Sequence, residues 1–200
     1  MKSFVDLGIS SEQEYRQQSF GSVDFVGQTV CSSTFSECNF TKCDFSEASI
    51  AEALFEDCEF RNCNFSLAKF PNTRLVDCEF KNCKLLGIDW SLLNSKMGLE
   101  VKFCGCDLSY SVFTKIDLSD SILSECKIYE ADFTESILKK VKFSGSDLSR
   151  SRFFRTDLRK SDFREAFNYF FDLRDNKCKG AKFSRQSVCD LLDAFGIEID

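Results

Sequence analysis

Three stretches, ECNFTKCDF (Glu37–Phe45), DCEFRNCNF (Asp57–Phe65) and DCEFKNCKL (Asp77–Leu85), are one nine-residue pattern repeated at intervals of 20 residues. Each carries two cysteines five residues apart and two large apolar residues five apart. A period of five therefore operates inside the period of twenty. Every fifth residue from Phe20 to Trp90 is apolar, and after a slip in register the series resumes at Phe103 and runs to Phe183. Of these 32 positions 31 are apolar, Asn168 being the exception, against about 14 expected at 43% apolar composition.

Two residues before most of these centres stands something small: Cys38, Cys43, Ala48, Ala53, Cys58, Cys63 and Ala68, then Ser111, Ala131, Ser146, Ser161 and Ala181. In extended chain, residues two apart share a face, so each pair points inward together. Five matches neither the 3.6 of a helix nor the simple alternation of a long strand, so the chain turns a corner every five residues. Four such sides close one coil of twenty. The pattern predicts an all-β solenoid: a four-sided parallel β-helix whose coils stack at about 4.8 Å, with Phe and Leu along the axis and small residues in the corners.

The cysteines follow from this geometry. Cys38, Cys58 and Cys78 stack in one inner column and Cys43, Cys63 and Cys83 in the next, with Cys106 and Cys126 in the same kind of slot. A thiol is small and tolerates burial. The competing reading is a metal site, but zinc wants four converging ligands and the chain has no histidine. No metal or cofactor is expected. The N-terminal MKSFVDLGISSEQEY holds no long apolar run, and no segment approaches the roughly 18 apolar residues of a membrane span. The expectation is a cytoplasmic chain, away from membranes, with reduced thiols.

The units CNF, CDF, CEF, ADF and SDL, each followed by two variable residues, resemble pentapeptide-repeat proteins from about Gln18 to Phe183. That resemblance implies a right-handed quadrilateral β-helix. The run FPNTRLVDCEFKNCKLLGIDW (Phe70–Trp90), a mid-solenoid break and the tail SRQSVCDLLDAFGIEID look narrower still. Together they are similar to the bacterial proteins that protect DNA gyrase from poisons, the quinolone-resistance Qnr proteins and, most of all, the albicidin-resistance pentapeptide proteins.

The expected organisation is an N-terminal cap (1–17), a first stack (18–90), a break (91–102), a second stack (103–183) and a C-terminal helix and tail (184–200). Thirteen residues separate Trp90 from Phe103 where ten would keep the pattern, so three extra residues sit near 91–102. They serve as a functional loop or as a tolerated insertion, and their small number speaks against a mechanism led by a long loop. In the tail, Ser184 can cap an α-helix over 185–195 that Gly196 stops, with Val188, Leu191, Leu192 and Phe195 on one apolar stripe. The stripe can be a lid on the last coil. The resemblance also implies tail-to-tail dimerisation, with Ile197 and Ile199 reaching across a homodimer.

Net charge is −6, and the whole deficit lies in residues 1–90. Glu37, Asp57 and Asp77 form an outward column flanked by Glu56, Glu59 and Glu79, a pattern that self-repels where solubility alone would scatter the charge. From Lys139 to Arg164 nine basic residues face three acidic ones, with Lys139 and Lys140 stacked on Arg159 and Lys160. Either these are ordinary solvated faces, or a rod with periodic negative charge imitates duplex phosphates. The resemblance implies the second, with DNA gyrase or topoisomerase IV as partner. The alternative is a non-enzymatic scaffold for another regulatory protein. Direct nucleic-acid binding is not expected from a net acidic chain. Nor is enzymatic activity: histidine, a phosphate-binding glycine loop and a CxxC pair are all missing.

Overall fold

Backbone hydrogen bonds link each residue to one about twenty positions along the chain: Glu37 N–H to Glu56 O at 2.9 Å, Phe45 N–H to Asn64 O at 2.6 Å, Phe65 N–H to Lys84 O at 2.7 Å. These links build a parallel β-solenoid in a computed structural model that describes residues 2–3, 11–94, 99, 101–185 and 188–192. On one side, Ser19–Gly21, Asn39–Thr41, Glu59–Arg61, Cys78–Lys81, Val101–Cys104 and Ile122–Ser124 form a six-stranded sheet. On the preceding side, Glu14–Arg16, Thr34–Ser36, Leu54–Glu56 and Arg74–Val76 form a four-stranded one. The other two sides hold two-stranded sheets, Lys2–Ser3 with Val23–Asp24 and Thr29–Cys31 with Ser49–Ala51. Past residue 124 the sides continue as single bridges in steps of twenty, such as Lys127 to Asp147 and Lys142 to Asp162.

The axial residues stack ring on ring at the strand spacing. Centroids of Phe25 and Phe45 lie 4.2 Å apart, Phe40 and Phe60 4.9 Å, Phe60 and Phe80 4.6 Å, each pair nearly parallel. Rings on neighbouring sides meet edge to face, as Phe60 and Phe65 do at 5.4 Å. The three-residue insertion leaves this order intact on the sheet side, where Phe80 pairs directly with Phe103. On the other side, Asn94 N–H reaches Thr73 O and Leu99 N–H reaches Asp117 O.

Each small inner residue has a second task. The Cys58 thiol donates to Phe35 O at 3.2 Å and Glu56 O at 3.4 Å, and Cys38, Cys43, Cys63, Cys78, Cys83, Cys106 and Cys126 repeat the geometry. Where the slot holds a hydroxyl, several make the same bond, Thr73 to Ile50 O, Ser146 to Leu123 O and Ser151 to Ile128 O, whereas Ser136 turns to Phe133 O in its own coil. Ser136 apart, these side chains supply a hydrogen to an axial residue's carbonyl in the coil below. Burial pushes the Cys58 thiol up to about 12, so it stays a protonated donor. All twelve cysteines are free, and among the described residues no group of three or more potential ligands could hold a metal. Nor is any described helix long and apolar enough to cross a membrane.

Corner residues pay a backbone cost that the period alone did not reveal. One residue in nearly every side adopts left-handed φ, and most are not glycine: Glu37 (55°), Asp57 (51°), Asp77 (50°), Asp120 (65°), Lys140 (59°) and Lys160 (62°) among them. On the turn-forming sides an aspartate steadies the corner. Asp44, Asp107, Asp117 and Asp147 each accept the N–H and the hydroxyl of a serine two residues on.

The period of five fails at Asn168. That residue itself takes φ 57°, two positions before the expected corner, and donates to Asp147 at 2.9 Å. Tyr169 and Phe171 turn inward in consequence, and Phe171 rather than Leu173 lies on Phe153, at 5.0 Å. Of the helix expected over 185–195, the described residues show one helical bond, Val188 N–H to Ser184 O, and a 3-10 turn at Cys189–Leu191. Residues 193–200 lie outside the described residues.

Phe60→Ala is expected to lower unfolding free energy by about 3–5 kcal/mol in a denaturant titration, because rings above and below cannot close the space. Cys58→Ser keeps size and donor and is expected to cost no more than about 1.5 kcal/mol. A loss near the Phe60→Ala value would contradict the donor role of the inner slot.

Candidate functional site

Four outer corners run the length of the solenoid, and their charge sequences differ. One carries Lys115, Glu135 and Arg155, which pair in alternation: Lys115 to Glu135 at 3.8 Å, Arg155 to Glu135 at 3.7 Å. The corner between the four-stranded and six-stranded sides carries Gln17, Glu37, Asp57 and Asp77, one per coil, linked through Glu37 N–H to Glu56 O and Asp57 N–H to Val76 O. Past the insertion the same corner continues with Asp120, Lys140 and Lys160: the pairings of Cys78 with Val101 and Lys102 with Ile122 set the register, and Asp120 N–H to Lys139 O and Lys140 N–H to Arg159 O carry it on. Glu37, Asp57, Asp77, Lys140 and Lys160 therefore do share one edge. Asp120 belongs to it as well; only the register across the insertion reveals this.

Side-chain pairing divides the acidic group. Glu37 accepts from Gln17 at 2.7 Å and Arg16 at 3.1 Å, and those bonds, Gln17's first, hold its carboxyl below the usual range. Lys81 bridges Glu59 at 2.7 Å and Glu79 at 2.8 Å, and Arg61 adds a second contact to Glu59 at 2.8 Å. Partial burial works against the Glu59 carboxylate, but the hydrogen bonds from Arg61 and Lys81 outweigh it and keep its pKa low. Glu56, Asp57 and Asp77 have no ion-pair partner among the described residues, and all three are exposed. Within this acidic group the uncompensated charge is thus on these three.

The basic group is more fully paired than its composition suggested. Lys140 reaches Asp120 at 3.0 Å, Lys139 approaches Asp157 at 3.8 Å, and Arg159 grips Asp157 with two bonds of 2.8 and 2.6 Å. Lys160 is exposed with no carboxylate partner among the described residues. Of the expected dimerisation residues, Leu191 is fully buried in its own chain's core, Val188 packs partly against that core and Leu192 is half-buried. Phe195, Ile197 and Ile199 lie outside the described residues.

The structure is a four-sided repeat solenoid with an apolar axis and charge along its corners. A sequence model of the pentapeptide repeat region matches residues 33–97 and 99–167. The chain belongs to the pentapeptide-repeat family. Among solved structures, two trypsin-treated variants of QnrB1, a plasmid-mediated fluoroquinolone resistance protein, match at TM-scores of 0.56 and 0.55 with 22% identity. Each match covers 96% of this chain and 99% of that one. Full-length QnrB1 matches at 0.52 with 19% identity over 92% of this chain and 100% of its own. No curated protein matches the sequence.

Asp157 offers a test of the pairing. Its carboxyl lies below its ordinary value of 3.8, chiefly through the Arg159 hydrogen bonds. A carboxylate depressed in the folded state contributes stability above its unfolded pKa and loses it as pH falls through the folded value. Arg159→Gln is expected to lower stability modestly at neutral pH, the guanidinium being solvent-screened. The gap should close below 3.8. Urea unfolding at stepped pH checks this, and a gap that persists in strong acid would place the contribution elsewhere.

Proposed function

We propose that this chain binds a type II topoisomerase, DNA gyrase or topoisomerase IV, and protects it from poisons such as quinolones or albicidin by presenting the acidic corner as a rigid imitation of duplex phosphates. One observation carries the reading: Glu37, Asp57 and Asp77 stand one per coil on a single straight corner, with Asp57, Asp77 and neighbouring Glu56 uncompensated. Regular negative charge on a body that cannot flex suits a groove built for a DNA backbone. The fold likeness to QnrB1 supports the same reading. The protein acts without catalysis, in the cytoplasm, as a homodimer joined through residues 184–200. Lys140 and Lys160 then lie toward the centre of the rod and the carboxylates on its arms.

A pentapeptide-repeat scaffold for a different regulatory protein is the second reading. It is favoured by the pairing of Glu59 and Glu79 with Lys81, which makes the negative field shallower than the acidic count implies.

Glu37→Lys, Asp57→Lys and Asp77→Lys together change the edge by six charge units and are expected to abolish topoisomerase binding. The fold should persist, since Lys42, Lys115 and Lys140 already occupy left-handed corner positions. Gyrase supercoiling with a quinolone or albicidin, with and without the protein, is the measurement. Undiminished protection by the folded triple variant would exclude mimicry along this corner. Absence of protection by the parent chain would favour the scaffold.

A further inference from the structure

The corner diagonally across the coil from the acidic one has a different character. Tyr110, Glu130 and Arg150 stack along it, with Tyr110 N–H bonded to Tyr129 O and Glu130 N–H to Ser149 O. Tyr110 meets the Tyr129 ring edge-on at 5.5 Å, and Arg150 lies 5.8 Å from the centre of that ring and donates to its hydroxyl at 3.1 Å. On the adjoining side, Arg152 and Arg155 lie over Phe154 at 5.7 and 5.1 Å. The slip at Asn168 turns Phe170 outward next to them. Arg150, Arg152, Phe153, Phe154, Phe170 and Phe171 then line an open cleft of about 360 Å³.

Phe170 is 56% exposed, Tyr110 54% and Phe167 46%, whereas most of the other described phenylalanines are turned to the axis. Large exposed rings interleaved with arginine are the composition of interface centres, because both give much contact area and arginine stacks on rings while keeping its hydrogen bonds. The charge here is not balanced. Arg150 is paired with Glu130 at 3.1 Å and Arg155 with Glu135 at 3.7 Å, but Arg152 has no carboxylate partner among the described residues. Its guanidinium lies on the Phe154 ring at the cleft, with the fork available.

We propose that this cleft is a second interaction surface, which receives an acidic peptide segment of a protein partner: a carboxylate on Arg152 and an apolar side chain between Phe154 and Phe170. The cation sets the sign of the occupant and the rings require an apolar anchor. A nucleic-acid strand is disfavoured, because two of the three guanidinium groups are already matched to carboxylates and would contribute little counterion release. The surface lies on the opposite edge from the proposed topoisomerase contact and does not depend on it.

The probe is a fluorescein-labelled peptide EDFEDL, titrated with the whole chain and followed by fluorescence anisotropy; KKFKKL and EDSEDS are the controls. Saturable binding of EDFEDL alone is expected. Arg152→Gln and Phe170→Ser should each weaken it on the order of tenfold, the first removing most of its salt dependence. Both residues are exposed, so neither change opens the core, and thermal melts verify this. Absence of saturable binding to the parent chain, or binding that neither substitution alters, overturns the proposal. So does conversion of a dimer to a monomer by Phe170→Ser in sedimentation, which would assign the cleft to a second copy of the chain.

Discussion

Everything in this molecule descends from one constraint: each coil must hydrogen-bond to the next through its backbone, at the same four sides, in register. Glu59 pairs with Asn39 below and Glu79 above, Phe60 with Phe40 and Phe80, Arg61 with Thr41 and Lys81. A parallel ladder of this kind places like positions over like at about 4.8 Å, so every property of a residue becomes a property of a column. Apolar centres become ring stacks. Small residues become rows of thiols and hydroxyls that donate to buried carbonyls and are themselves satisfied there. Outward residues become lines of charge.

Charge is the property least suited to such repetition, and the structure handles it in two ways. Some columns alternate sign, as Lys127 stacked on Asp107 does, and some borrow a cation from the neighbouring column, as the two glutamates bridged by Lys81 do. Asp57 and Asp77, on their shared corner, do neither. Like charges are held one coil apart there at some electrostatic cost, and the cost falls on side chains that the core does not need.

The fold was legible because its core asks so little of each side: one large apolar residue, and a small one two places before it. Phe60 with Cys58 satisfies that demand on sight, and a search for twenties and fives finds it. The acidic edge was legible in part. Glu37, Asp57 and Asp77 align by counting, but Asp120 joins them only once Phe80 is known to pair with Phe103. The neutralisation of Glu59 and Glu79 was hidden for a different reason: Lys81 sits two residues from one and twenty-two from the other, and which way an exposed lysine turns is decided by its surroundings. The aspartates of the DLS units look like surface charge in the sequence, yet Asp107 and Asp147 spend their carboxylates on the turn itself. Asn168 was visible as the one lapse in the series. Its result, the inward turn of Tyr169 and Phe171 and the exposure of Phe170, depends on a left-handed backbone angle that composition does not announce.

The insertion after Trp90 adds three residues to one side while the sheet opposite Phe80 continues without a gap. A solenoid of this design thus has an address where chain length can vary independently of everything else. Closing a longer excursion costs only about 0.6 kcal/mol for each doubling of its length. The coils before and after would keep their registers, since their pairing passes through the other sides. Descendants of such a chain could try out appendages of many lengths and shapes at that address, and exchange them among themselves, while inheriting the rod unchanged.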